Sequence, residues 1–383
     1  MRQQDKEVKQ VAATLYIHFP FCRSKCAYCD FYSSAARGAD FGGYVEAVAA
    51  EWRLRRMELP SMPETVYLGG GTPSMLGPEH IARLSDLLAR DFDTRRLAEF
   101  TIEANPEDIT PETLAAYSRA GINRVSIGVQ SFDTALLEAV SRRHSPEQAV
   151  EALTHLSAGG WNYSADLIYG LPGQTTAQWE SDLHRLLNFR PPHLSAYLLS
   201  YEPGTALYAR RERGLVAEAS DSLAEQMYEI LCRETARAGY RHYEISNFAL
   251  PGYAAVHNSA YWDGTPYLGL GPGAHSLSAD GIRRYNPPGI KKYVEAVNSG
   301  STYFQTDDED DANRVNDTII TALRTARGLD PQSLPPAFKG EFEANARPLL
   351  AEGLLVRSGD GRLTIPERLW LRSDAILRDL IVG

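Results

Sequence analysis

Nowhere in the 383 residues does an apolar run approach the roughly 20 residues that a helical bilayer span needs. Basic charge is also short: 39 Lys and Arg face 49 Asp and Glu, a net charge of −10. That balance argues against nucleic acid or an anionic membrane as the main partner. Peripheral membrane contact stays open, with no basic amphipathic helix to argue for it. Cysteine is scarcer still. There are four, three of them in one eight-residue loop, which excludes a disulfide framework. The first residues, MRQQDKEVKQVAA, are polar and lack the apolar core of a signal peptide. The expectation is a cytoplasmic protein whose thiols stay reduced. Repeats and low-complexity tracts are missing, and 43% hydrophobic with 23% charged residues are ordinary globular values. A chain of this length can bury one large core and a smaller second one.

What is there is concentrated in the run YIHFPFCRSKCAYCDFYS. Cys22, Cys26 and Cys29 follow C-x3-C-x2-C, poorly placed for disulfides and well placed to wrap a metal cluster. Three thiolates on a four-iron cluster leave one iron open to a small molecule. Two other readings stand beside this one: zinc held by the three thiolates and His18, and a redox dithiol with one thiol to spare. The fourth cysteine, Cys232, falls in the helical pattern AEQMYEILCRETARAG and is expected to be a buried, inert core thiol.

Short apolar runs alternate with amphipathic stretches. Strands are expected at Leu15–His18, Thr65–Leu68, Phe100–Ala104, Arg124–Gly128, Ser164–Ile168 and Leu194–Leu199. Helical patterns such as YVEAVAAEWRLRRM, EHIARLSDLLARD and PETLAAYSRAG lie between them. Six such units predict an α/β fold with a parallel sheet. Being fewer than eight, they suit an open, partial (β/α)6 barrel, with a doubly wound sheet as the alternative. The unusual residues fall at strand ends: Gly69 to Pro73 after the second strand, Glu103, Asn105 and Pro106 at the third, Gln130 at the fourth, Asp166 and YGLPGQT at the fifth. In barrels those ends build the active site. Four segments are expected: a tail (1–12), the barrel (13–220), a barrel-associated extension (221–304) and a small, mainly helical, winged-helix-like C-terminal domain (305–383). The extension, led in by a helix at Ser220–Ala238, reads as loops and short strands packed on the barrel. The acidic run at 307–311 reads as a solvated helix opening, and Gly359–Asp360–Gly361 as a hairpin turn.

The cysteine loop, GGGTPS, EANP, GINRVSIGVQSF and DLIYGLPGQT, in that order, resemble the radical S-adenosylmethionine (SAM) enzymes across nearly the whole chain. In that family the three cysteines bind a [4Fe–4S] cluster. Its open iron takes the amino and carboxylate groups of SAM, and an electron from the cluster cleaves SAM to a 5′-deoxyadenosyl radical. The resemblance therefore implies Cys22, Cys26 and Cys29 as metal ligands. It implies SAM contacts from Tyr16, Tyr28, Gly70, Gly71, Thr72, Glu103, Gln130, Arg142 and Asp166. The residue types suit those roles: glycines let a backbone approach a ligand, a carboxylate such as Glu103 accepts from ribose hydroxyls, and the Arg142 fork matches a carboxylate.

Within that superfamily the chain looks like the oxygen-independent coproporphyrinogen III oxidase family, which decarboxylates two propionates. The oxidase loop carries a fourth cysteine two residues after the third. Phe31 stands there in this chain, and only 21 residues precede the loop; both departures argue against oxidase activity and leave open whether the chain is an enzyme. The Phe-type loop is that of a sister group, the haem chaperones of the HemW type, which carry H-N-x-x-Y-W. This chain has it at His257–Asn258–Ser259–Ala260–Tyr261–Trp262. Imidazole commonly ligates haem iron, so the resemblance implies His257 as a haem ligand, with His275 in GPGAHS as a weaker second candidate. The implied function is a haem chaperone that binds haem, a [4Fe–4S] cluster and SAM. It hands haem to an acceptor such as a respiratory cytochrome and draws on an electron donor. The alternative is the oxidase.

Overall fold

The computed structural model describes residues 12–307 and 310–383. All of the expected N-terminal tail but Ala12, and two of the five acids at 307–311, lie outside the described residues. Six strands carry the fold: β1 (Thr14–Phe19), β2 (Thr65–Gly70), β3 (Glu99–Ala104), β4 (Arg124–Gln130), β5 (Asn162–Tyr169) and β6 (His193–Leu198). They pair in chain order and in parallel. Between them run α1 (Phe41–Arg55), α2 (Gly77–Leu88), α3 (Pro111–Arg119), α4 (Thr134–Ala139), α5 (Pro146–Ala158) and α6 (Thr176–Leu187). Thr110, Ser145 and Thr175 open α3, α5 and α6 with capping boxes, which satisfy amides the first helical turn cannot. The barrel is open, because β1 and β6 do not meet.

Strand side chains alternate between two chemistries. Leu15, Ile17, Val66, Leu68, Phe100, Ile102, Val125, Ile127, Ala165, Leu167, Leu194 and Ala196 are each at most 3% exposed. They share the main core with Val45, Val48, Leu84 and Leu88 of the helices. The residues between them are largely polar and face the other way. Register sets Glu103, Ser126, Ser164 and His193 in one row across four strands. Neighbours along that face hydrogen-bond, as Ser164 Oγ does with His193 Nδ1 at 2.7 Å. The interior is thus lined with hydrogen-bonding groups, which suits a polar ligand better than a closed apolar core would.

The extension corrects one expectation. Its strands do not pack on the barrel but prolong its sheet at both edges. β7 (Arg241–Glu244) and β8 (Asn247–Ala249) follow β6, antiparallel. On the other edge β9 (Tyr267–Leu270) pairs parallel with β1, and β10 (His275–Leu277), β11 (Arg283–Tyr285) and β12 (Gln305–Thr306) continue antiparallel. The helix Asp221–Arg237 matches the expected one, with Ser220 and Ala238 as its caps. Cys232 on it is half-buried rather than buried, although burial does push its thiol up to about 12. The C-terminal segment holds helices Asp311–Leu323 and Pro336–Ala351, then a hairpin pairing Val356–Arg357 with Leu363–Thr364 around the expected turn. Asp310 caps the first of these helices through Asn313 N–H. Among the described residues no helix is long and apolar enough to cross a membrane.

A buried ion pair ties the extension to the barrel. Arg55 Nη1 lies 2.8 Å from Glu51 Oε1, and both side chains are fully buried. The Glu51 carboxylate also accepts from Asn286 Nδ2, Gly271 N–H and Tyr293 OH, each at 2.8 Å.

Candidate functional site

The cysteine loop leaves the C-terminal end of β1 and is pinned by backbone. Phe21–Cys22 and Ser34–Ala35 form a two-residue ladder. Gly71 N–H donates to Phe19 O at 2.8 Å, Ala27 N–H to Val140 O at 3.0 Å, and Leu207 N–H to Ala27 O at 2.7 Å. All four cysteines of the chain are free. Thr72 Oγ1 donates to Cys22 Sγ (3.5 Å) and Arg142 Nη1 to Cys26 Sγ (3.6 Å). Burial pushes the Cys29 thiol up to about 11; the Phe31 amide opposes this, and Cys26 and Cys22 add to it. A metal that takes these sulfurs as thiolates removes that crowding.

Zinc would need a fourth ligand beside the three loop sulfurs. His18, the candidate for it, has both ring nitrogens engaged, Nδ1 with Tyr16 OH (3.0 Å) and Nε2 with Tyr32 O (2.9 Å). Among the described residues, the three loop sulfurs do not all lie within 4.8 Å of one another. A tetrahedral zinc, with Zn–S near 2.3 Å, needs them about 4 Å apart. Wider spacing suits a polynuclear cluster.

The glycine run does a different job from the one expected. A Cβ on Gly71 would sit 2.6 Å from Phe21 O, and one on Gly70, at φ +112°, would sit 2.6 Å from the His18 ring. The space these glycines leave is filled by His18 and Phe19 at the end of β1 and by Phe21 where the cysteine loop begins. Gly69 is the one that faces the interior, where a Cβ would meet Tyr67, Tyr16 and Glu103 Oε1.

Below the loop, Glu103 accepts from Tyr67 OH (Oε1, 2.9 Å) and Gly70 N–H (Oε2, 3.0 Å). Burial outweighs both bonds and pushes its carboxyl up to about 7. Tyr16 stacks on Tyr67 with centroids 6.1 Å apart. Arg142 Nη2 donates to Asn105 Oδ1 (2.9 Å) and Gly128 O (2.6 Å), while its buried Nε has no partner among the described residues. Such an orphaned donor fits an anionic ligand group. Gln130 holds φ +64° at a bulge in β4, strain that a non-glycine residue bears only where its surroundings impose it. Tyr28 packs beside Leu136, Val140 and Leu171 in a satellite core. Asp166 accepts from Ser126 and Ser164 at 3.2 Å each, its carboxyl pushed up by burial, and it lies near enough to Glu103 for its charge to raise that carboxyl further. Tyr67, Ser126 and Ser164 escaped the sequence reading; their signal was the polar member of each strand's alternation.

His257 corrects another expectation. The helix Val256–Trp262 floors the interior, held by Val256 N–H donating to Glu99 Oε2 at 2.7 Å. His257 is 1% exposed, and both ring nitrogens are taken, Nδ1 by Thr65 Oγ1 (2.8 Å) and Nε2 by Tyr261 OH (2.9 Å). It stacks on Tyr67, centroids 5.1 Å apart, and burial pushes it down to about 3. As folded, it offers no iron a lone pair.

The comparisons with known proteins agree with one another. Residues 16–186 match the radical SAM superfamily. The chain is 36% identical to the heme chaperone HemW of Lactococcus lactis over 331 residues, 86% of each chain. It is 37% identical to the heme chaperone HemW of Mycobacterium tuberculosis over 379 residues, 96% of this chain and 94% of that one. Among solved structures it superimposes on coproporphyrinogen III oxidase (HemN) from Escherichia coli, a radical SAM enzyme, with a TM-score of 0.80. That match covers 97% of this chain and 91% of the other at 24% identity, a likeness of fold.

Proposed function

This chain belongs to the radical SAM superfamily and, within it, to the family of the heme chaperone HemW, and from that membership we propose that it binds haem and delivers it to an acceptor protein. The superfamily brings with it a [4Fe–4S] cluster and SAM, which when bound supply one-electron chemistry at the rim. Cys22, Cys26 and Cys29 would hold the iron. Glu103 would accept from the SAM ribose and Arg142 would meet its carboxylate, with Tyr16, Tyr28, Thr72, Gln130 and Asp166 shaping the pocket around them and Gly70 and Gly71 seating the strand end and loop beside it. The reading extends to a cytoplasmic location, an external electron donor and an acceptor such as a respiratory cytochrome.

The observation that carries the haem assignment is the identity to HemW over nearly the full chain. Phe31 supports it: where the oxidase loop has its fourth cysteine, this chain carries a phenyl ring that is 64% exposed. The test is anaerobic incubation of reconstituted protein with SAM, a reductant and coproporphyrinogen III. No decarboxylated product is expected, whereas steady turnover would return the chain to the oxidases.

SAM affinity should depend on pH through Glu103. Its carboxyl ionises near 7, and the carboxylate is the better acceptor for ribose hydroxyls. Binding should therefore strengthen as pH rises through about 7 and weaken below it. Equilibrium binding between about pH 6 and 8 checks this. Glu103→Gln should bind more weakly with this dependence removed; a flat wild-type profile would remove Glu103 from the ribose.

A further inference from the structure

We propose that His275 is the imidazole that takes haem iron in the fold as it stands, on a rim face shared by the cysteine loop and the turn from β9 to β10. This deepens the chaperone reading and rests on it.

Among the chain's nine histidines, His184 and His275 are the exposed ones. His184 lies on α6, its Nε2 paired with Glu234 at 3.2 Å. His275 opens β10, next to the C-terminal end of β9, on the same rim as the cysteine loop. Its ring stacks on Tyr285, centroids 5.8 Å apart, and among the described residues no protein group is hydrogen-bonded to either ring nitrogen. Burial and Arg283 hold it below its ordinary value, against Asp307, so the free imidazole prevails at neutral pH.

The surroundings suit a flat, partly apolar ligand with an anionic edge. A Cβ on Gly273 would touch Tyr32 at 3.1 Å, and Gly289 N–H donates to Tyr32 OH at 2.9 Å, so the histidine's turn and the cysteine loop are packed together. Phe31, next to Tyr32, turns its ring to solvent. Lys25 Nζ, 3.1 Å from Phe31 O, sets a cation beside that ring, where a propionate would find it. The platform is pinned: Ser276 Oγ accepts from Arg55 Nη2 (3.3 Å) and from Gly269 N–H (2.9 Å). An exposed imidazole on a fixed strand, with an exposed phenyl and an ammonium group on the loop that packs against its turn, offers ferric haem an iron ligand, a ring face and a cation for its carboxylate edge.

The test is a haemin titration of anaerobically reconstituted full-length protein, followed by Soret absorption and electron paramagnetic resonance. His275→Ala should bind haemin at least about tenfold more weakly and lose the imidazole-ligated signature. Added imidazole should restore that signature in part, and the cluster absorption should stay intact. His257→Gln, which keeps a hydrogen-bonding side chain on the floor, should bind haemin as the wild type does. Wild-type affinity and spectrum in His275→Ala, or loss of haemin in His257→Gln alone, would overturn the proposal. A wild type that binds no haemin would overturn the chaperone reading itself, a result visible before any variant is made.

Discussion

Replacing Cys22, Cys26 or Cys29 with alanine is expected to abolish the iron–sulfur absorption of anaerobically reconstituted protein and to leave bound iron and sulfide near background. Each sulfur is one of three, and the loop has no spare: His18 is committed to Tyr16 and Tyr32, and Phe31 occupies the place where a fourth thiol could have stood. Cys232 cannot stand in, because it lies beside His242 and Glu367, away from the loop. The fold itself should survive. Backbone bonds to Val140, Leu207 and Gly71 hold the loop whatever the side chains are, and Cys26 and Cys29 are only half-buried. Unchanged circular dichroism with lost iron is therefore the expected pair of results. Full iron and sulfide content in any one of the three variants would show that the cluster is held otherwise.

Glu51→Ala should destabilise the protein by about 3–5 kcal/mol, because four buried donors lose their shared acceptor and the Arg55 guanidinium keeps only the half-exposed Glu58 as a charged partner. Four donors converge on that carboxylate: Arg55, Asn286, the Gly271 amide and Tyr293. Three of them belong to the extension, so the loss falls on the edge strands that carry His275. Exchanging both charges at once, Glu51→Leu with Arg55→Met, should recover much of the stability, since apolar replacements of a buried pair are often neutral. Urea unfolding of the single and double variants measures this. A loss below about 1 kcal/mol in Glu51→Ala would mean that the pair is no hub.

The sequence exposed the barrel and concealed its edges. The six parallel strands were legible because their core-facing residues are dense in Val, Ile and Leu and their ends carry Gly, Asn and Gln. The helix at Asp221–Arg237 and the hairpin around Asp360 were legible from periodicity and turn chemistry. Edge strands of three or four residues, such as HSL and RRY, are too short for a period to show. Glu51 and Arg55 are spaced i, i+4, a pattern that usually marks a solvated helix face; their burial is decided by Asn286 and Tyr293, more than 200 positions away. Of the candidate site, Arg142 reaches Cys26 of the loop and Glu103 holds the Gly70 amide. His257 departs from the reading of its motif, because a long-range bond from Val256 to Glu99 fixes its helix on the barrel floor. The glycine run was readable as a tight passage, but its occupants, His18 and Phe19 at the end of β1 and Phe21 beyond it, were not.

The most direct measurement is a haem titration of anaerobically reconstituted protein followed by absorption, with coproporphyrinogen III as competitor. Saturable one-to-one haem binding that the competitor does not displace is predicted. No haem binding, or ready displacement by coproporphyrinogen III, would contradict a haem chaperone.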